Sequence, residues 1–160
     1  MSKCYFAKLN DQNIVIDTVV VGGDVNTSSG PLSENPMHVD GETWCQNNIS
    51  QGNWKQCSDS GAFRGNFPGL SNYYYDSDKD KFIPNKPYDN FVLNETTWLW
   101  EAPLTNRPTT ESYAAIEGKN LFPGTWNPDT QRLEATNNLD LTEETIYYWD
   151  DINSVFISAE

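Results

Sequence analysis

The chain of 160 residues carries ten Lys and Arg against twenty-three Asp and Glu, a formal net charge of −13, with 13% aromatic and 37% hydrophobic residues. That balance argues against binding to a nucleic-acid phosphate backbone or to an anionic membrane surface, since both need a basic footprint. It fits a protein that docks on a more basic partner, and equally an acidic surface suited to a salty habitat.

The length fits one domain, or one domain with a small appendage. Met1 to Phe6 runs into a strand-like pattern with no apolar leader region, so no secretory signal is expected. No apolar run reaches membrane-spanning length. Cys4, Cys45 and Cys57 are odd in number and fit no metal spacing, so they are expected as small buried thiols in a reducing compartment. The sequons at Asn26, Asn48 and Asn94 then read as chance in an Asn- and Thr-rich chain.

Cys4 to Leu9 alternates as a strand, Asn10-Asp11-Gln12-Asn13 is dense in turn formers, and Ile14 to Val21 is a β-branched return strand. Asn26 to Pro36 reads as an exposed loop. Asp40 to Asn48 is the best helix candidate, with Asp40 as its cap and Trp44 facing inward. A short strand follows at Asn53 to Cys57, then an irregular, partly packed loop from Ser58 to Leu70 holding Phe63, Arg64 and Phe67. Tyr73 to Ile83 and Phe91 to Glu101 read as hairpins, the second with Trp98 and Trp100 two apart and therefore on one face. Ala102 to Thr110, with Pro103 and Pro108, reads as a linker between a main body (1–103) and a C-terminal extension (104–160). The extension holds a short helix at Glu111 to Glu117, a hairpin around Pro128-Asp129 and a loop from Asn137 to Glu143 with Thr142 as a helix cap or turn residue. It closes with a hairpin at Ile146 to Ser158 that can serve as an edge or swapped arm.

One pattern recurs five times: an apolar residue, then Asn or Asp, five residues, and another large apolar residue. The copies are Leu9-Asn10…Ile16, Tyr75-Asp76…Phe82, Leu93-Asn94…Trp100, Trp126-Asn127…Leu133 and Trp149-Asp150…Phe156. The physical reading is a hairpin whose Asn or Asp opens the turn by bonding its own backbone. The fold class that follows is mainly β: a small, antiparallel, hairpin-rich domain with one or two short helices.

Motifs for chemistry are sparse. Asp76-Ser77-Asp78-Lys79-Asp80 has the opening spacing of a calcium loop, but Lys81 stands where the loop needs Gly and Pro87 where it needs Glu, so these read as solvated turn carboxylates. His38, the only histidine, lies in no nucleophile or catalytic motif and reads as a loop residue. No phosphate loop is present, and no carboxylate pair is singled out. No catalytic, cofactor-binding or metal residues are therefore assigned, and no cofactor is expected. Trp44, Trp54, Trp100 and Trp126 are expected to fill the core. The runs Tyr73-Tyr74-Tyr75 and Tyr147-Tyr148-Trp149 must each place a ring on the opposite face of their strand. The candidate interaction surface is Tyr73, Tyr74, Trp98, Tyr147 and Tyr148.

The stretch Trp54-Lys55-Gln56, Phe63-Arg64-Gly65-Asn66-Phe67-Pro68-Gly69, Tyr75-Asp76…Phe82-Ile83-Pro84, Lys86-Pro87-Tyr88 and Leu93-Asn94…Trp100-Glu101-Ala102-Pro103 is specific in order and spacing. With Phe6-Ala7-Lys8-Leu9-Asn10 before it, it resembles a small domain that recurs in virion proteins of marine tailed phages, including those of cyanobacteria. The resemblance covers about residues 3–103 and leaves out 104–160 and the 26–36 loop. It implies a structural protein of the phage particle, made in the host cytoplasm and located in the virion. The expectation is a non-enzymatic capsid decoration or knob protein, homo-oligomeric on the particle, whose partners are other virion proteins, the major capsid protein or tail proteins. The alternative is a tail- or fibre-associated module that contacts host glycans through exposed Trp and Tyr.

Overall fold

The computed structural model describes residues 2–32, 39–70, 72–114, 121, 124–137 and 145–159. The expected roles of His38 and Thr142 fall outside them. The chain is mainly β, with antiparallel sheets and, among the described residues, two helices. It divides into two compact units, Met1–Glu101 and Ala102–Glu160.

The first unit contains β1 (Lys3–Leu9), β2 (Val15–Gly22), β3 (Asn26–Thr27), β4 (Gly30–Pro31), α1 (Val39–Asn48), β5 (Asn53–Cys57), β6 (Tyr73–Asp76), β7 (Lys81–Pro84), β8 (Val92–Asn94) and β9 (Leu99–Glu101). Strand β1 is central in a sheet of order β2-β1-β5 and is covered on both faces. Alternation sends Cys4 and Phe6 to one side, where they pack with Val21, Leu32, Cys45 and Trp54 under helix α1. Ala7 and Leu9 go to the other, where they pack with Val15, Cys57, Tyr75 and Phe82. The helix comes close because Gly41 faces Phe6: a Cβ there would lie 2.8 Å from Phe6 Cζ. All three cysteines are buried thiols, and burial pushes Cys45 up to about 12, with the nearby Glu42 charge adding to it.

The second unit contains α2 (Thr110–Ala114), β10 (Thr125–Asn127), β11 (Arg132–Thr136), β12 (Ile146–Asp150) and β13 (Val155–Ser158). Its strands form a meander of order β10-β11-β12-β13. Leu121, Ala135, Tyr147, Trp149 and Phe156 make its core, with Tyr113 of α2 packed against Phe156. The segment before α2 is bonded to the last turn: Asp151 accepts the backbone N–H of Thr105 and of Asn106, and Trp149 Nε1 donates to Asn106 O at 2.7 Å.

All five recurring segments are hairpins, and each turn is opened by its Asn or Asp. Oδ1 of Asn10, Asp76, Asn94, Asn127 and Asp150 accepts two backbone N–H groups from the loop that follows it. Each loop ends on a residue with positive φ: Asn13, Asp80, Trp98, Gln131 and Ser154. Four copies pair the two apolar positions as expected: Tyr75 with Phe82, Leu93 with Trp100, Trp126 with Leu133 and Trp149 with Phe156.

Three expectations are corrected. In the first copy Leu9 pairs with Val15, and Ile16 is 48% exposed, because that loop is one residue shorter and its left-handed residue comes one position earlier. Trp98 and Trp100 do not share a strand face, since Trp98 is the last turn residue and β9 starts at Leu99. Asp40 does not cap α1: the helix begins at Val39, and Asp40 sits in the first turn accepting bonds from the hydroxyls of Ser28 and Ser29.

Candidate functional site

The Phe63-Arg64-Gly65-Asn66-Phe67 motif is where the first unit's charged side chains converge. Arg64 and Gly65 are consecutive residues with positive φ, 56° and 77°. That kink lets the Arg64 carbonyl accept from Phe82 N at 2.8 Å while its guanidinium turns into the protein. Nη1 donates to Glu42 Oε1 at 2.8 Å and to Gln56 O at 2.9 Å, and Nε donates to Asp80 Oδ1 at 2.7 Å. Glu42 Oε1 also accepts from Gln56 N, and Oε2 accepts from Lys55 Nζ at 3.4 Å. Asp80 takes a further hydrogen bond from the Tyr75 hydroxyl. Lys55 and Arg64 both lie over the Tyr75 ring, 5.6 and 5.7 Å from its centroid. Two residues on, Asn66 Nδ2 donates to Thr97 O and Trp98 O, which anchors the β8–β9 turn.

The electrostatics follow from burial. Burial opposes the Arg64 charge, but the bond to Glu42 and the charges of Glu42 and Asp80 outweigh it, so its pKa is raised. Tyr75 is pushed up to about 12, first by burial and then by the bond it donates to Asp80. Both Glu42 oxygens already accept bonds, and Arg64 stands between Glu42 and Asp80. The cluster is therefore a clasp: one side chain joins helix α1, strand β5 and the β6–β7 turn. Asp80 is thus more than the solvated turn carboxylate its spacing suggested. Asp76 is held below its ordinary value by the Lys79 N–H and ammonium and stays a turn residue. Among the described residues no group of three His, Cys, Asp or Glu side chains is placed to hold a metal ion.

The candidate surface residues separate. Tyr147 is 5% exposed and belongs to the core of the second unit, so it is not part of a surface: strand alternation puts it beside Trp149. Tyr73 is half-buried against the core around Tyr75. The middle ring of each run, Tyr74 and Tyr148, takes the opposite face, paired with Ile83 and Ile157. Arg132 lies 5.2 Å over the Tyr148 ring. Trp98, half-buried, lines a concavity of about 240 Å³ with Phe63, Gly65, Asn66, Lys81 and Thr97. Of the tryptophans expected inside, Trp54 is fully buried, while Trp44, Trp100 and Trp126 are half-buried.

Tyr148, one of the candidate surface residues, belongs to a second apolar face on the sheet of the second unit. Ile146 and Tyr148 of β12 and Val155 and Ile157 of β13 point away from Tyr147, Trp149 and Phe156. Ile146, Ile157 and Val155 are 38%, 47% and 48% exposed, and Ile152 at the turn is 89% exposed. The alternation of Ile146-Tyr147-Tyr148-Trp149 carried the signal, since apolar residues occupy both phases of it.

No family model, curated protein or solved structure matches this chain.

Proposed function

We propose that this protein is a non-enzymatic structural component of a tailed-phage virion, carried in many copies and docked as a decoration or knob on the major capsid protein. The resemblance of residues 3–103 supports the particle. The observation that carries the docking is the outward face of the second unit's sheet, with Ile146, Tyr148, Val155 and Ile157 in neighbouring strands and Ile152 beyond them. An antiparallel sheet needs an apolar face only on the side of its core, and a contiguous second one marks an interaction surface. Glu134, Asp150 and Arg132 share that outward face, Arg132 lying over Tyr148, and residues 102–160 hold ten acidic side chains against three basic ones. The partner this chemistry fits is a protein surface with an apolar centre and a basic rim.

The test is the copy number in purified virions, by quantitative mass spectrometry against the major capsid protein, for the wild type and for Ile157→Glu. Hundreds of copies, lost in the variant, are expected. Tens or fewer in multiples of three or six would move the protein to the tail. Full incorporation of Ile157→Glu would overturn the assigned surface.

A further inference from the structure

The five hairpin turns end on a residue in the left-handed region, and the residue chosen differs in one of them. Asn13, Asp80, Gln131 and Ser154 are polar. Asn and Asp in particular tolerate positive φ. The β8–β9 turn instead places Trp98 there, at φ 57°. A bulky side chain at positive φ is an outlier, and such outliers concentrate where geometry serves a function. Here the geometry sets the indole in the wall of the concavity of about 240 Å³.

We propose that this concavity binds the terminal ring of an anionic glycan, a sugar bearing a carboxylate. It is smaller than the ~300–1,000 Å³ clefts that take drug-sized molecules, and so it suits a single ring. The indole offers a flat apolar surface for the C–H face of a pyranose. Lys81 Nζ lies over the indole, 5.6 Å from its centroid, a cation–π contact that sets the ammonium at the edge of this platform, and no carboxylate of the described residues forms an ion pair with it. In a chain of net charge −13, an anion needs such a local cation to settle at all. The ammonium is placed for the sugar carboxylate, and Thr96 and Thr97 line the same wall.

The site is built in advance of any ligand. Asn66 Nδ2 bonds the carbonyls of Thr97 and Trp98 and so fixes the turn. Gly65 leaves room for both walls, since a Cβ there would stand 3.3 Å from Lys81 Cδ and 3.4 Å from Trp98 Cδ1. A fixed turn spares the ordering cost of binding. The proposal concerns the first unit and stands apart from the docking face of the second, so either can fail alone.

The experiment is ligand-detected NMR on the full chain with glucuronic acid and N-acetylneuraminic acid, against glucose and N-acetylglucosamine. Binding of an acidic sugar, about tenfold tighter than its neutral counterpart, is expected from one charge-assisted contact. Trp98→Asn, which installs a residue type that the other turns use, should abolish binding with an unchanged or higher melting temperature. Lys81→Met should keep the fold and erase the preference for the acid. No binding at millimolar sugar, equal binding of acidic and neutral sugars, or full binding by either variant would overturn the proposal. A markedly lower melting temperature for Trp98→Asn would overturn the reading of Trp98 as a binding residue.

Discussion

Arg64 Nη1 lies 2.8 Å from Glu42 Oε1, and that bond joins a loop residue to helix α1 across the edge of the sheet. Arg64 is 7% and Glu42 9% exposed, so both charges are largely withdrawn from water and each depends on the other. The same guanidinium reaches Asp80 through Nε and Gln56 O through Nη1, which is why arginine and not lysine stands here.

Removing Arg64 leaves the buried Glu42 carboxylate with only Lys55, at 3.4 Å, as a charged partner and takes the guanidinium from Asp80. Arg64→Ala is expected to cost about 3–5 kcal/mol, measured by urea unfolding. Glu42→Met combined with Arg64→Met should cost less than the sum of the two single changes, because the two most buried charges of the cluster are removed together. A loss below about 1 kcal/mol for Arg64→Ala, the range of exposed pairs, would show that the clasp is a surface ion pair in effect.

The turn chemistry predicts an asymmetry at Asn127, whose Oδ1 accepts from Asp129 N and Thr130 N. Asn127→Asp keeps the acceptor and should be close to neutral. Asn127→Ala strips both N–H groups of their partner and should cost about 1 kcal/mol. Equal melting temperatures for the two variants would mean that the turn is set by its flanking strands alone.

Gly41 is a helical glycine kept for space. Alanine is the better helix former by about 1 kcal/mol, yet its Cβ would meet Phe6 Cζ at 2.8 Å and Leu32 Cδ2 at 2.9 Å. Gly41→Ala is therefore expected to destabilise by about 1–3 kcal/mol, the usual range for overpacking. Any gain in stability in thermal unfolding would show that helix α1 can back away freely from β1.

Turn carboxylates contribute to the sensitivity to acid. Asp76 is held below its ordinary value by the Lys79 N–H and ammonium, Asp150 by Asn153, and Asp151 by the N–H groups of Asn106 and Thr105. A carboxylate with a depressed folded-state pKa contributes stability that is fully present above its unfolded value and lost as pH falls through the folded one. The melting temperature should therefore be insensitive to these groups near neutrality and fall below about pH 4. In a variant carrying Asp76→Asn and Asp150→Asn, whose side chains do not titrate, the drop from pH 7 to pH 3 should be smaller. An identical drop would exclude these two turns as its source.

What the sequence by itself determined is local. A hairpin opened by Asn or Asp needs only that side chain, the N–H groups two and three residues on, and a partner strand of the right polarity. Positions such as Asp76, Asn94, Asn127 and Asp150 therefore reveal their turns directly. The same locality sets the limits of the reading, since the first copy closes one residue early and the spacing rule pairs Leu9 with the wrong residue. Strand alternation would put Trp98 and Trp100 on one face, but it does not apply inside a turn, where Trp98 stands. Only the tertiary structure decided the rest. Glu42, Arg64 and Asp80 lie 22 and 16 residues apart, and no local pattern marks them as one cluster. Which ring of Tyr147-Tyr148-Trp149 is buried depended on which face of the sheet found a core, because a two-residue period defines two faces without saying which of them meets water.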